Sequence, residues 1–258
     1  MSSLARRMLV VAMLAGSAAF GGQGCADSES MIFIRQVNVP VPGGATGCTV
    51  TADPAALTMP QGSLDVAFRL HYDAALLVGN QLVNRGSREQ LRTETASVQI
   101  EGAEVRLEDA SGARAWGPFT VPATGYIDPA VGSTPSFGLA EVVLLGPDFG
   151  AQMSAQLAGS PGLVKRYTSV VKVFGHTLGG TPVDTGEWHF PISICYGCLI
   201  SYPSAANDPK LSPQPNCDLP VGTGTTLPET CTPGQDETVD CRICKAMMPT
   251  ADICEPVH

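Results

Sequence analysis

EWHFPISICYGC (residues 187–198) is the last segment of this chain that reads as a strand and the first that reads as a cross-linked tail. Trp188, Phe190, Ile192 and Ile194 alternate with His189, Pro191 and Ser193, which puts four large apolar side chains on one face of an extended chain. Upstream, YTSVVKVF (167–174) is rich in β-branched residues, and the two segments pattern as a hairpin with a long tip. Pro191 has no N–H to give to a ladder, so its nitrogen side is expected to face an edge. From Cys195 onward the composition shifts to Pro, Cys, Asp and Thr.

Further strands are predicted towards the N-terminus. SLDVAFRLHY (63–72) alternates most clearly, with Leu64, Val66, Phe68, Leu70 and Tyr72 on one face, and is read as a single strand. Residues 31–39, 48–51, 116–121 and 139–145 are strand candidates, the last also compatible with a helix. ALLVGNQLV (75–83) is one strand or a hairpin turning at Gly79-Asn80. Residues 96–100 and 103–108 flank Glu101-Gly102, read as a tight hairpin turn. Residues 148–157 lack β-branched side chains and suit a short helix. Eight to ten short strands between 31 and 195 imply an all-β domain. An antiparallel β-sandwich, immunoglobulin-like in a loose sense, is the expected architecture, with a β-barrel as the alternative.

The N-terminus reads as a targeting segment. Arg6 and Arg7 precede MLVVAMLAGSAAF (8–20), too short to span a bilayer, which needs about 20 apolar residues. GGQGC (21–25) resembles the lipobox of bacterial lipoproteins, in which a small residue, here Gly24, precedes the cysteine that receives diacylglycerol. The competing cut lies after residues 17–19 and would leave nine cysteines, an odd number, in an oxidising compartment. Acylation of Cys25 leaves eight. The expected organisation is a signal peptide over 1–24, a tether over 25–30, a β-sandwich over 31–195 and a Cys-rich tail over 196–258. Ala26 follows Cys25 and Asp27 comes one later, and the lipoprotein resemblance then implies the outer membrane of a bacterial envelope.

Removing 1–24 takes away two arginines and no acid, moving the net charge from −9 to −11. With four lysines and no basic run, the footprint of nucleic-acid binding is absent. Membrane attachment would come through the N-terminal lipid, since an acidic surface is not drawn to anionic headgroups. The tail cannot bury enough apolar surface to hold a shape by itself and needs disulfides, at about 2–4 kcal/mol each.

Cys195-Tyr-Gly-Cys198 and Cys241-Arg-Ile-Cys244 form two CxxC motifs, and Cys217, Cys231 and Cys254 lie near them. Tetrahedral zinc and a redox dithiol are the alternatives to disulfides. The exported context favours disulfides among Cys48, Cys195, Cys198, Cys217, Cys231, Cys241, Cys244 and Cys254, with connectivity open among 105 pairings. His71, His176, His189 and His258 read as solvated surface residues. Asp236, Glu237 and Asp240 lack EF-hand spacing and read as solvated acids. Trp116 and Trp188 read as packing residues. There is no HExxH, GxSxG or P-loop motif, and the Gly222-Thr-Gly224 pair lies in the Pro-rich tail, so no cofactor or catalytic residue is assigned.

WHFPISICYGCL (188–199), with CTPGQDETVDC (231–241) downstream, resembles the C-terminal signature of lipoproteins from large-genome gliding bacteria over roughly residues 186–244. The resemblance implies an exported, Cys-rich lipoprotein with no assigned activity and carries over no functional residue. The expected function is a lipid-anchored, non-enzymatic envelope protein that binds an envelope protein or a glycan, or serves structurally. A metal-binding lipoprotein and an envelope hydrolase with a dispersed site are the alternatives. If all eight cysteines pair, Cys48 must bond to a tail cysteine. Non-reducing peptide mapping checks this: a peptide containing Cys48 is expected to co-migrate with a tail peptide, and a free Cys48 thiol would sink the clamp.

Overall fold

The alternation in 188–195 produces the strand it predicts. Phe190, Ile192 and Ile194 are buried, and Trp188 stacks on Phe190 with ring centroids 5.7 Å apart. The computed structural model describes residues 30–43, 47–86, 93–160, 162–221, 229–249 and 252–255. Cys25, the targeting segment and His258 lie outside the described residues.

In chain order the strands are β1 (Ile32–Asn38), β2 (Val41–Pro42), β3 (Cys48–Thr49), β4 (Thr58–Met59), β5 (Gly62–Asp65), β6 (Tyr72–Asn80), β7 (Val98–Asp109), β8 (Arg114–Ile127), β9 (Ser136–Leu145), β10 (Lys165–Thr177), β11 (Pro182–Asp184), β12 (Trp188–Cys195), β13 (Ile200–Ser201) and β14 (Val239–Asp240). Among the described residues two α-helices accompany them, α1 (Pro147–Leu157) and α2 (Cys241–Met247). One sheet runs β4-β1-β6-β9. The other runs β5-β12-β10-β7-β8, with β11 paired to β10. Every pairing in these two sheets is antiparallel except β5–β12, which is parallel.

Ile32, Leu76, Val78 and Leu144 of the first sheet join Val105, Leu107, Val171, Phe190 and Ile192 of the second in one buried cluster, so the domain is a β-sandwich. The buried Ser169 hydroxyl on β10 donates to the Leu144 carbonyl on β9 at 2.8 Å, a polar tie between the layers. The β10–β12 pair forms as expected, from Lys165↔Ile194 to Val171↔Trp188, but its tip is short and not long: β11 pairs with β10 as well, and the turn is confined to 178–181. Pro191 pairs with Thr168 of β10, and on its other side the β5 pairing begins one residue later, at Ile192, so that side of Pro191 is an edge.

Two strand readings need correction, and one open reading is decided. Residues 63–72 are two strands, not one. β5 stays in the six-stranded sheet, the chain turns over 66–69, and β6 begins the opposite layer at Tyr72. The turn is made by Asp65, whose carbonyl accepts from Phe68 N at 3.0 Å and Arg69 N at 3.1 Å while its carboxylate accepts from Ala67 N at 3.1 Å. Such a carboxylate turn competes with the ladder that the alternation implies. For 75–83 the strand alternative is the one formed: β6 runs to Asn80 with no hairpin turn at Gly79-Asn80, and Gly79 pairs with Phe33 and Phe137 on its two neighbours. Nor does Glu101-Gly102 turn a hairpin. β7 is continuous and absorbs the irregularity as a register shift between Ile100 and Gly102. The actual turn lies at residues 109–113, where the Asp109 carboxylate accepts from Ser111 N at 2.8 Å and Ala113 N at 3.1 Å.

The helix expected over 148–157 is α1. Phe149, Met153 and Leu157, spaced four apart, face the core, and Pro147 occupies the first turn, where a missing N–H costs nothing. Gly150 on the same helix lies against the backbone of the 66–71 turn, and an added Cβ would fall on the Leu70 carbonyl oxygen. Ala is favoured over Gly inside a helix by about 1 kcal/mol, whereas overpacking against backbone costs about 1–3 kcal/mol. Gly150→Ala is therefore expected to destabilise the protein despite its better helix propensity, read as a lower midpoint in urea unfolding.

Candidate functional site

The tail is bonded to the sandwich at its edge. Eight cysteines form four disulfides: Cys48–Cys231, Cys195–Cys198, Cys217–Cys241 and Cys244–Cys254. The two CxxC motifs thus behave differently. CYGC closes on itself, while CRIC sends its cysteines to two different partners. Zinc would need these sulfurs as thiolates, and they are committed to one another. Cys48–Cys231 spans 183 residues and is the clamp between the start of the sandwich and the tail.

Just past Cys231 the chain forms a tight loop over 232–237. Gly234 has φ +82° and Asp236 has φ +61°. The loop covers the free edge of β5: Asp65 N donates to Gly234 O at 2.8 Å, and Asp236 N donates to Ser63 O at 2.9 Å. An open strand edge is a template for unwanted pairing, and the tail fills it. The Gln235 side chain crosses to the other sheet. Its amide oxygen accepts from Asp73 N at 3.0 Å and its amide nitrogen donates to Asp73 O at 2.7 Å.

Asp236 completes the junction. Its carboxylate accepts from Ser63 N at 2.6 Å and from the Tyr72 hydroxyl at 2.6 Å. Tyr72 is buried, its ring 5.6 Å from Phe190. Gly62 leaves the room for it, since a Cβ there would lie 2.5 Å from the ring. Desolvation lifts the Asp236 carboxyl above its ordinary range, against the hydrogen bonds that favour the ion, and burial pushes the Tyr72 phenol up as well. Asp236 is therefore a bonded junction residue, a correction to its reading as a solvated acid. Asp240 is also buried, capping α2 and pairing with Arg242, whose side chain lies 2.8 Å away. That hydrogen-bonded pairing lowers the Asp240 carboxyl pKa. Glu237 follows the expectation more closely, half-exposed, with its carboxylate accepting from Thr232 N at 2.6 Å.

Beneath the clamp lies a recess of about 440 Å³ on the outer face of the four-stranded sheet. Ala75 and Val143 form its floor, Pro40, Val50 and Thr232 its walls, and Glu141 and Asp73 stand at its rim. It adjoins a narrower cavity of about 90 Å³ reaching Met59, Asp236 and Glu237. Val50 and Thr232 lie within two residues of Cys48 and Cys231, so the disulfide ties together the two chain segments that bear them.

A second constellation surrounds the CYGC loop. Asp65, fully buried, lies beside Cys195 in the parallel β5–β12 pairing. Its two carboxylate oxygens accept from Gly197 N at 2.8 Å and Leu199 N at 2.9 Å. Burial raises its pKa, opposed by these backbone bonds. A carboxylate oxygen and the two sulfurs of Cys195 and Cys198 lie within 4.8 Å of one another. The pattern LDVAF hid this residue, because an acid between apolar neighbours looks like the polar face of a strand.

The three described histidines stay near the surface. His71 lies in the turn before β6, not within a strand, with Nε2 3.1 Å from the Asp73 carboxylate. His176 is in β10, not at the hairpin tip, with Nδ1 2.9 Å from Glu101. His189 is exposed on β12. Trp116 packs on Phe149 at 5.6 Å and Trp188 on Phe190.

No protein-family model matches the chain, and no curated protein matches it. Among solved structures it is similar to a solution structure described as a candidate late embryogenesis abundant (LEA) protein. The identity is 14%, over 72% of this chain and 85% of that one, with a TM-score of 0.27. At that score the fold is read from the strands themselves.

The raised Asp236 carboxyl makes a signed prediction. The folded state holds that proton more tightly than the unfolded chain, so the contribution to stability is present in acid. It is lost as pH rises from the ordinary carboxylate range through the raised folded value. Asp236→Asn, which keeps an acceptor for Ser63 N, removes this residue's share of the drift. Relative to wild type the variant is expected to gain stability as pH rises above the ordinary carboxylate range, measured by denaturant midpoints at a series of pH values.

Proposed function

We propose that this chain is a lipid-anchored envelope protein that holds a partner in the recess beneath the Cys48–Cys231 clamp. The observation that carries the reading is the recess itself: an apolar floor, an acidic rim and walls braced by a disulfide. A concave apolar surface with a few polar groups at its margin is the general form of a binding site. Glu141 and the neighbouring Glu237 favour a basic segment of another envelope protein over a neutral glycan, Asp73 being paired with Arg69. Anchoring follows from the lipobox-like GGQGC and acylation at Cys25, and the outer membrane from the residues that follow it. The resemblance to lipoproteins of gliding bacteria fits the same setting.

Two measurements test the parts separately. Cys25→Ala is expected to move the protein from the membrane fraction to the soluble one. A photo-cross-linker at Val50 is expected to capture a Lys- or Arg-rich protein segment. Glu141→Lys should cut that capture about tenfold or more, and salt at about 0.5 M should weaken it. Capture that is unchanged by Glu141→Lys and by salt would overturn the recess as the binding site.

A further inference from the structure

We propose that the Cys195–Cys198 disulfide is an exchangeable redox pair, opened and closed by an external dithiol, with Asp65 carrying the proton for the buried sulfur. The geometry separates this disulfide from the others. Cys198 is exposed while Cys195, at the end of β12, is 2% exposed. An incoming thiolate therefore has one sulfur to attack and the other to expel. In Cys217–Cys241 and Cys244–Cys254 all four cysteines are buried. Cys48 is exposed, but Cys48–Cys231 closes 183 residues and Cys195–Cys198 only three. The stabilisation a disulfide adds through chain entropy grows with the loop it closes, so the CYGC bridge is the one the fold can best do without.

The loop also has supports that survive reduction. Gly197 N and Leu199 N are held by the Asp65 carboxylate, and the Cys195 carbonyl accepts from Val66 N at 2.9 Å. These bonds keep the two sulfurs adjacent once the S–S bond is gone, which favours reclosure.

The chemistry balances with a dithiol as reductant. Its thiolate attacks Cys198 Sγ, forming a mixed disulfide and breaking the bond to Cys195. The departing Cys195 sulfur is buried and lies within 4.8 Å of an Asp65 carboxyl oxygen; burial disfavours a thiolate there and favours the protonated form of Asp65, from which the sulfur takes a proton. The second thiol of the reductant loses its proton to water and attacks its own half of the mixed disulfide. Cys198 leaves as a thiolate and is protonated by solvent, and Asp65 regains its proton from water. Two electrons pass from the dithiol to the protein, and two thiols replace two thiols. Oxidation runs through the same steps in reverse, with the Asp65 carboxylate accepting the Cys195 proton.

The test uses the full chain and dithiothreitol as the dithiol. After graded reduction, free thiols are alkylated and mapped. Cys195 and Cys198 are expected to label first, with Cys217, Cys241, Cys244 and Cys254 still paired and the circular dichroism of the sandwich unchanged. Cys195→Ser is expected to trap a stable mixed disulfide at Cys198 with glutathione. Asp65→Asn is expected to slow opening of Cys195–Cys198 about tenfold or more, while Cys48–Cys231 in the same molecules opens at the wild-type rate. Simultaneous reduction of all four disulfides, or late reduction of Cys195–Cys198, would overturn the redox pair whether or not the Asp65 variant folds. Unaltered exchange in a folded Asp65→Asn protein would overturn the proton role.

Discussion

The closure of the β5 edge by residues 232–237 is the constraint on which the rest of this structure depends. β5 is four residues long and pairs with only one strand, in parallel, so by itself it would leave a row of unpaired backbone groups. The tail loop satisfies them from one side, and the Gln235 amide and Asp236 carboxylate reach across to Asp73 and Tyr72 on the other sheet. One six-residue loop thus ties both layers together. Cys48–Cys231 keeps that loop in place at the cost of a single covalent bond rather than a larger core, a solution suited to a tail with few apolar side chains.

Asp65 is the second organising residue, and it acts twice. Its carboxylate turns the chain from one sheet to the other through Ala67 N and anchors the CYGC loop through Gly197 N and Leu199 N. A carboxylate placed in the interior is costly unless it is hydrogen-bonded, and three backbone donors meet that need. The same burial that raises its proton affinity places a proton carrier beside a disulfide with one accessible sulfur. The structural role and the redox role therefore draw on one arrangement.

Much of the architecture was legible from side-chain periodicity. Trp188, Phe190, Ile192 and Ile194 share a face as their spacing predicts, their partner strand at 167–174 pairs in the expected hairpin, and the helix over 148–157 forms. The two misreadings have different causes. In 63–72, alternation continues across a change of sheet, because Leu64 and Tyr72 both face the same core from opposite layers. Period two reports that a side chain is turned from water and does not report which layer it belongs to. Glu101-Gly102 was misread because a bulge and a tight turn use the same residue types.

Composition and order along the chain were enough to establish a β-rich body, a cysteine-dependent tail and the requirement that Cys48, if all eight cysteines pair, bond far down the sequence. Connectivity lay beyond them, since a disulfide needs two sulfurs within bonding distance and that distance exists only after the sheets have packed. The roles of Asp65 and Asp236 lay beyond them for the same reason. An acid becomes a junction or a proton carrier through burial and through donors from residues over a hundred positions away, such as Gly197 for Asp65 and Ser63 for Asp236, and packing alone brings those together.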